Sequence, residues 1–250
     1  MHNMKVVPVI QARMGSSRLP GKVMLPLNCD HVLEHDVRRV ASADRVDEVV
    51  VATSEEKQDD IVERYAEREG AHVHRGSEDD VLGRMYEAAS ERDADVVVRV
   101  TADCPLVSPD QIDYAVGKLL GGGFDNVSSI VERTFPRGLT TEAFTFESFS
   151  EVEETSDEPH QREHVTPYYY ENPGEFELYN VTSDEVFDEE FLHNRTDLRL
   201  TLDEADDYEL LRRIYEGVEY NGTMEIPDAV RYVDEEGIGE INQHVKQKKV

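Results

Sequence analysis

A basic segment near the start of the chain carries the side chains best suited to chemistry. It reads Gln-Ala-Arg-Met-Gly-Ser-Ser-Arg-Leu-Pro-Gly-Lys over residues 11–22 and includes Arg13, Arg18 and Lys22, three of only 26 lysines and arginines. Gly15 and Gly21 allow the backbone to approach a ligand closely or to adopt a positive φ, and N–H groups in such a loop can enclose an anion. The segment therefore predicts phosphate binding. Its spacing fits neither the P-loop nor the dinucleotide fingerprint, and a surface turn with incidental basic residues is the alternative.

Two aspartates that lie far apart in the chain are candidates for holding a divalent cation. Asp103 lies in Thr-Ala-Asp-Cys-Pro-Leu over residues 101–106, and Asp203 lies in Leu-Thr-Leu-Asp-Glu over residues 200–204. Carboxylate oxygens suit Mg²⁺, which keeps several waters and shares the phosphates of its substrate. Each aspartate could instead cap a helix or a turn, and spacing alone does not separate the two interpretations. Cys104 has no sequence partner that would make it a nucleophile, and we expect it to pack as a small apolar residue.

The elements that would position these residues alternate between strand and helix patterns. Valine-rich runs predict strands over residues 5–12, 47–53 and 95–101, with a shorter strand at 72–75. Apolar residues at helical spacing predict helices over 33–40, 58–69, 79–90 and 109–120. Continuous β-branched runs between helices are typical of an α/β fold, in which a mostly parallel sheet is covered on both faces. Because ligands of such sheets bind beyond the carboxyl ends of the strands, we expect the basic loop and Asp103 to lie close together.

The second half of the chain is less regular. Strands are expected at 125–130, 140–146, 176–182 and 198–202, and helices at 147–155, 162–171, 206–216 and 227–236. The strand at 198–202 would deliver Asp203 to the start of the following helix. No internal repeat or interdomain linker is evident, so residues 1–242 are expected to form one domain. Residues 243–250 are polar and basic, and we expect them to form a frayed tail.

The overall charge excludes several classes of partner. The chain has 250 residues, 55 acidic against 26 basic, and a net charge of −29, which disfavours general binding to nucleic acids or anionic membranes. No apolar run is long enough for a transmembrane helix, and the two cysteines, Cys29 and Cys104, fit a reducing, cytoplasmic setting. Diffuse acidity with few lysines is typical of proteins that work in concentrated salt, because salt screens self-repulsion. It therefore predicts a halophilic source, against the alternative of an ordinary acidic cytoplasmic protein.

Taken together, these segments resemble the cytidylyltransferases that activate acidic sugars. The resemblance is strongest to the branch of spore coat polysaccharide biosynthesis protein F, which is related to the CMP-3-deoxy-manno-octulosonate and CMP-N-acylneuraminate synthetases. Residues 12–22 are similar to the family's Ala-Arg-x-x-Ser-x-Arg-Leu-Pro-Gly-Lys loop. Residues 75–89, 101–106 and 200–207 resemble its nucleotide-side segment, its first metal-aspartate motif and its closing aspartate segment. Residues 136–142 and 162–168 resemble its sugar-side region, and the likeness extends over about residues 5–215.

The resemblance implies a single glycosyltransferase-A-like, Rossmann-like nucleotidyltransferase domain with a small β-containing arm at about residues 125–182. It implies transfer of CMP from CTP to a sugar with release of pyrophosphate, a Mg²⁺ cofactor, a role in surface polysaccharide or glycan biosynthesis, and a homodimer. Arg13 and Lys22 would be catalytic, and Asp103 and Asp203 would bind the metal. The nucleotide-binding residues would be Ala12, Gly15, Ser16, Arg18, Gly21 and Arg84. The sugar-binding residues would be Arg137, Glu142, Arg162 and His164, although a structural role for His164 is as well supported.

Two departures from the family pattern concern the choice of sugar. Ser17 stands where many neuraminate-type relatives carry lysine, and Thr140-Thr141 stands where this branch often has an acidic residue. An acidic eight- or nine-carbon keto sugar is implied by the relatives, while another modified sugar remains open.

Two rival functions keep the same fold. A glycosyltransferase that uses a finished nucleotide sugar would usually carry an Asp-x-Asp pair, whereas residues 101–103 contain a single aspartate. A non-catalytic nucleotide-binding protein would bind nucleotide without turnover, and the presence of both aspartates beside the complete basic loop argues against it.

Overall fold

The structure is a computed structural model that describes residues 4–247. In chain order its strands are β1 (Val6–Gln11), β2 (Pro26–Leu27), β3 (Asp30–His31), β4 (Val50–Ser54), β5 (His72–Gly76), β6 (Val96–Thr101), β7 (Asn126–Ser128), β8 (Glu142–Thr145) and β9 (Leu178–Asn180). Strands β2 and β3 form a small antiparallel hairpin, and the other strands form one sheet in the order β5-β4-β1-β6-β8-β7-β9. The pairs β5-β4, β4-β1, β1-β6 and β7-β9 are parallel, while β8 runs antiparallel to β6 and β7. The expected mostly parallel α/β sheet is confirmed.

Helices cover both faces of this sheet. They are α1 (Val32–Ala41), α2 (Asp60–Arg68), α3 (Val81–Ser90), α4 (Pro109–Leu120), α5 (Phe146–Thr155), α6 (Pro159–His164), α7 (Pro167–Glu171), α8 (Ser183–Val186), α9 (Ala205–Gly217) and α10 (Ile226–Glu236). Several begin at the residues that sequence favours: Ser108 caps α4 by accepting from the N–H of Gln111, and Asp80 caps α3 by accepting from the N–H of Gly83. Within residues 4–247, none of the helices is long and apolar enough to span a bilayer.

The valine runs are buried because successive side chains point to opposite faces of the sheet. On β1, Val6 and Ile10 belong to the core beneath α1, α4, α9 and α10, whereas Val7 and Val9 belong to the core beneath α3 and α5. Neither face of the central strands is open to water, so an unbroken β-branched run is favourable there. This double-sided core holds the carboxyl ends of β1 and β6 at one level, with Gln11 paired to Thr101.

Four expectations for the second half differ from the structure. Residues 198–202 form no regular strand; they make a single bridge between Arg199 and Arg137. Residues 162–171 are divided between α6 and α7, because Val165 has a positive φ of 75° that interrupts the helix. Residues 125–182, expected as an arm, contribute β7, β8 and β9 to the main sheet. In the expected tail, Val245 is buried, and residues 248–250 lie outside the described residues.

Candidate active site

The basic loop leaves the sheet at the end of β1 and folds back on itself. The N–H of Met14 donates to Asp59 Oδ1 at 2.6 Å, and the N–H of Gly21 donates to the carbonyl of Met14 at 2.9 Å. Gly21 adopts a left-handed φ of +72°, and a Cβ there would lie 3.2 Å from the Met14 side chain. Glycine is therefore suited to this position, and it starts the short 3₁₀ turn Lys22–Met24 that directs Lys22 back toward the sheet.

Lys22 lies at the centre of the site, between the two aspartates. Its Nζ donates to Asp103 Oδ2 at 2.7 Å, to Asp203 Oδ1 at 3.0 Å and to the carbonyl of Leu202 at 2.8 Å. Burial alone would lower the pKa of Lys22, but the two carboxylates outweigh burial and raise it above its ordinary value. The ammonium therefore stays charged, and aspartates 100 residues apart in the chain converge on one nitrogen atom.

Asp203 is held by cations on both carboxylate oxygens. Arg18 Nη2 lies 2.6 Å from Oδ1, and Arg199 Nη2 lies 2.8 Å from Oδ2. Burial would raise the pKa of Asp203, yet Lys22, Arg18 and Arg199 together hold it below its ordinary value. The expected alternative, that Asp203 caps the following helix, does not hold: the N-cap of α9 is Glu204, and Asp207 accepts from the N–H groups of Asp203 and Glu204.

A cavity of about 380 Å³ opens beside this cluster, and we call it the central cavity. Six cationic side chains line it against three carboxylates, in a chain whose acids outnumber its bases about twofold. The cations are Arg13, Arg18, Lys22, Arg84, Arg99 and Arg137, and the carboxylates are Asp103, Glu163 and Asp203. An adjoining cavity of about 450 Å³ extends along the loop past Gly15 and Ser16. This local excess of positive charge suits a polyanionic ligand.

The other predicted loop residues occupy the walls of these two cavities. Ala12 is buried at the end of β1 and lines the central cavity. Arg13 lies 3.7 Å from Glu78, and the Ser16 hydroxyl accepts from the N–H of Leu19 at 3.4 Å. Arg84 reaches the cavity from α3; its Nη1 donates to the carbonyl of Ser77, its Nε has no partner among the described residues, and burial lowers its pKa.

Two predicted sugar-side residues line the opposite part of the central cavity. Arg137 makes no side-chain hydrogen bond or ion pair within residues 4–247, and burial together with Arg133 and Arg199 lowers its pKa. Burial also lowers the pKa of His164, with Arg99 and His160 acting in the same direction, so its imidazole is neutral at pH 7. Both side chains are therefore open to a ligand.

The other two predicted sugar-side residues do not line the central cavity. Both oxygens of Glu142 are used inside the protein, because Oε2 pairs with Arg99 at 2.5 Å and Oε1 accepts from the Tyr170 hydroxyl at 2.7 Å. Arg162 pairs with Asp80 and with Glu153, which fastens α6 to α3 and α5. Neither residue lines the central cavity, so the geometry favours direct sugar contact by Arg137 and His164 instead.

Sequence reasoning missed several residues of the site. Arg99 lines the central cavity and, with His164, borders a side cavity of about 330 Å³ that also contains Ile130, Pro167 and Tyr170. Gly138 has a φ of +100°, and a Cβ there would lie 2.6 Å from the backbone of Leu200. The Pro-Arg-Gly-Leu turn at 136–139 was a signal for such a close approach. Arg199 carried no comparable signal, because one of its side-chain partners, Gln247, lies 48 residues away.

The carboxylates fit a divalent cation that completes its coordination with substrate. Asp103 and Asp203 are hard oxygen donors that converge within hydrogen-bond reach of one Lys22 nitrogen, and Mg²⁺ is commonly bound by one or two carboxylates together with substrate phosphates and water. Within the described residues there is no cluster of three or more acidic, histidine or cysteine side chains that could hold a metal alone. The donor set therefore suits an ion that arrives with a phosphate ligand.

Comparison with known proteins shows which family the chain resembles. Residues 7–226 match the family model described as cytidylyltransferase. An uncharacterized protein of Methanocaldococcus jannaschii is 36% identical over 98% of this chain and 97% of its own. Spore coat polysaccharide biosynthesis protein SpsF of Bacillus subtilis is 32% identical over 83% of this chain and 85% of its own. A 3-deoxy-manno-octulosonate cytidylyltransferase of Geobacter metallireducens is 31% identical over 52% of this chain and 50% of its own.

Among solved structures, a cytidylyltransferase from Leptospira borgpetersenii superposes with a TM-score of 0.87 at 31% identity. The match covers 98% of this chain and all of that chain.

Proposed function

Because the chain belongs to the cytidylyltransferase family, we propose that it transfers CMP from CTP to an acidic keto sugar and releases pyrophosphate. The anomeric hydroxyl oxygen of the sugar attacks the α-phosphorus of CTP and forms the new P–O bond. The bond from the α-phosphorus to the bridging oxygen breaks, its electron pair leaves with pyrophosphate, and the proton of the hydroxyl passes to solvent water. The barrier lies in charge and positioning, so fixed cations are the main requirement.

The basic loop supplies the groups that would hold the triphosphate. Arg13, Arg18 and Lys22 line the cavities with fixed charge, and the backbone at Ala12, Gly15, Ser16 and Gly21 borders the same space. We assign Lys22 and Arg13 to the charge that develops on the leaving pyrophosphate, and Arg18 and Arg84 to the nucleotide. Arg84 suits this role because its charge is buried beside the cavity without an acidic partner among the described residues.

Asp103 and Asp203 would hold Mg²⁺, which supplies Lewis-acid stabilisation of the phosphate oxygens. The cations around Asp203 lower its pKa and keep its carboxylate ionised, so this side chain is ready to act as a ligand near neutral pH. Lys22 Nζ can transfer its hydrogen bonds from these carboxylates to a phosphate oxygen, because Lys22 and both carboxylates line the central cavity.

Arg137 is the group best placed for the carboxylate of the sugar. It lines the central cavity without a protein partner in the described chain, and a guanidinium binds a carboxylate through two parallel hydrogen bonds. His164 is neutral and can donate to or accept from a sugar hydroxyl. Glu142 and Arg162 contribute indirectly: Glu142 orients Arg99, and Arg162 fixes the helix that ends at His164.

The observation that carries the proposal is the convergence of Lys22, Asp103 and Asp203 beside a cavity rich in cations. A pyrophosphate-release assay tests it. Each of CTP, UTP, ATP and GTP is mixed with a panel of acidic keto sugars and neutral sugars, with Mg²⁺ and high salt. Release with CTP and an acidic keto sugar supports the proposal. Release with a neutral sugar alone contradicts the assignment of Arg137, and CTP binding without release in the whole panel contradicts the reaction.

The product is proposed to serve surface polysaccharide or glycan biosynthesis, in line with the name of the relative from Bacillus subtilis. We also propose a homodimer, a cytoplasmic location and a halophilic source. The net charge of −29 supports the last of these proposals.

A further inference from the structure

The C-terminal segment, residues 242–247, packs against the acidic side of the central cavity. Asn242 is buried and donates through Nδ2 to the carbonyl of Arg199 at 2.9 Å and to Asp207 Oδ1 at 2.8 Å. Val245 is also buried, with 8% of its surface exposed. These contacts return the chain to the site after α10 has carried it along the back of the sheet, and they bring Gln247 to the wall of the cavity.

Gln247 completes the hydrogen bonding of Arg199. Arg199 Nε donates to Asp207 Oδ1 at 2.8 Å, Nη2 donates to Asp203 Oδ2 at 2.8 Å, and Nη1 donates to Gln247 Oε1 at 2.8 Å. Since a guanidinium has only donors, the oxygen of the Gln247 amide must face Arg199. Gln247 is the partner that Nη1 has in the described chain. Without it, Arg199 is held only by Asp203 and by Asp207, whose Oδ2 also accepts from Nη2 at 3.2 Å.

From this chain of contacts we propose that Gln247 is a positioning residue: it holds Arg199 so that Arg199 fixes the Asp203 carboxylate for the metal. The inference rests on the proposed function, because it assumes that Asp203 is a metal ligand. An Arg199 side chain that is held less firmly fixes Asp203 Oδ2 less well, and part of the ordering of Asp203 then falls to the metal itself. Loss of Gln247 is therefore expected to weaken metal binding and to leave the chemical step unchanged, because the cations that stabilise the leaving pyrophosphate are unchanged.

The test compares three full-length variants with the parent, and Asp203→Asn is a fourth variant that shows the effect of losing the proposed metal ligand. Gln247→Ala removes the acceptor for Arg199 Nη1. Gln247→Glu keeps an acceptor at that position. Gln243→Ala is the matched control, because Gln243 has the same side chain in the same segment, is exposed, and makes no side-chain hydrogen bond in residues 4–247. Gln247 is itself exposed, so its replacement leaves the core intact.

Mn²⁺ is the probe, and its binding to the enzyme–CTP complex is followed by water-proton relaxation without sugar, so that no turnover occurs. We expect Gln247→Ala to raise the half-saturating Mn²⁺ concentration about three- to tenfold, as expected for a partly exposed hydrogen bond to a charged group. Gln247→Glu and Gln243→Ala are expected to stay within about twofold of the parent. In steady-state assays Gln247→Ala should raise the Mg²⁺ requirement by the same factor and leave kcat at saturating Mg²⁺ within about twofold.

Three outcomes would overturn the inference. If Gln247→Ala binds Mn²⁺ like Gln243→Ala while Asp203→Asn binds it weakly, Asp203 holds the metal but Gln247 does not position it. If Asp203→Asn also binds Mn²⁺ normally, the metal assignment of Asp203 is wrong and the inference is lost with it. A fall in kcat without a change in Mn²⁺ binding also contradicts the proposed route through Asp203.

Discussion

Replacing Lys22 with alanine tests the centre of the site. Lys22 Nζ contacts Asp103, Asp203 and the carbonyl of Leu202 at 2.7–3.0 Å, and its side chain is 13% exposed. A fixed donor that stabilises charge developing in the transition state is worth about 10²- to 10³-fold in kcat. We therefore expect Lys22→Ala to lower kcat for pyrophosphate release by about that factor, or about 3–4 kcal/mol in barrier height.

The fold should survive this change. Removing one partner of a buried ion pair costs about 3–5 kcal/mol when the other charge is left uncompensated. Here Arg18 and Arg199 remain on Asp203, and Asp103 is 25% exposed to water. The expected loss in the free energy of unfolding is therefore smaller, at most about 2 kcal/mol. Chemical denaturation followed by circular dichroism measures it separately from activity.

The assay is pyrophosphate release at saturating CTP, sugar and Mg²⁺. Lys57→Ala is the matched control, because Lys57 is exposed in a 3₁₀ turn and lines neither of the two cavities. Lys22→Arg keeps the charge with a different shape and should retain more activity than Lys22→Ala. A Lys22→Ala enzyme that is folded and turns over within about threefold of the parent would refute the reasoning.

Further predictions address the metal, a buried acid, a glycine and salt. Asp103→Asn should abolish Mg²⁺-dependent release, and an unchanged Mg²⁺ titration would contradict the metal assignment. Asp36 is fully buried with neither carboxylate oxygen hydrogen-bonded within residues 4–247, and burial, then Asp103, raises its pKa well above the ordinary value. The protonated form of Asp36 stabilises the folded protein below the usual carboxyl pKa range, and this stabilisation is lost as pH rises through the raised pKa of the folded state. Asp36→Asn should therefore raise the free energy of unfolding at pH 7 by about 1–3 kcal/mol and make it depend less on pH. Denaturation at several pH values that shows no such gain would contradict this prediction. Gly138→Ala should lower Tm and activity together because its Cβ would lie 2.6 Å from Leu200, and parental melting would refute this. Raising salt from about 0.1 M to about 1 M, where the Debye length falls from about 10 Å to about 3 Å, should raise Tm, and a salt-independent Tm would count against a halophilic source.

The first half of the fold could be predicted because its determinants are local. Runs such as Val49-Val50-Val51 are typical of a strand covered on both faces, and the helices between such runs begin at caps such as Ser108 and Asp80. The basic loop was evident for the same reason. Its phosphate-binding chemistry is contained in one short segment, so the spacing of Arg13, Arg18 and Lys22 was sufficient to place it after a strand.

The sugar side of the site could not be predicted in the same way, because its geometry depends on pairing between distant residues. Glu142 and Arg162 have side chains that could bind a sugar, but each forms an ion pair within the protein. Glu142 pairs with Arg99, 43 residues away, and Arg162 pairs with Asp80, 82 residues away. The segment at 198–202 has alternating apolar residues like a strand, yet it pairs with a glycine turn and with the loop after β6. Gln247 contacts Arg199 across 48 residues, and no local pattern marks that contact.

The most direct measurement is anomalous diffraction from crystals grown with CTP and Mn²⁺. Our account predicts a manganese peak bonded to oxygens of both Asp103 and Asp203 and to a phosphate of CTP, with Lys22 Nζ on another phosphate oxygen. A peak bound to CTP but distant from either aspartate, or a triphosphate lying outside the cavity that Arg13, Arg18 and Lys22 line, would contradict it.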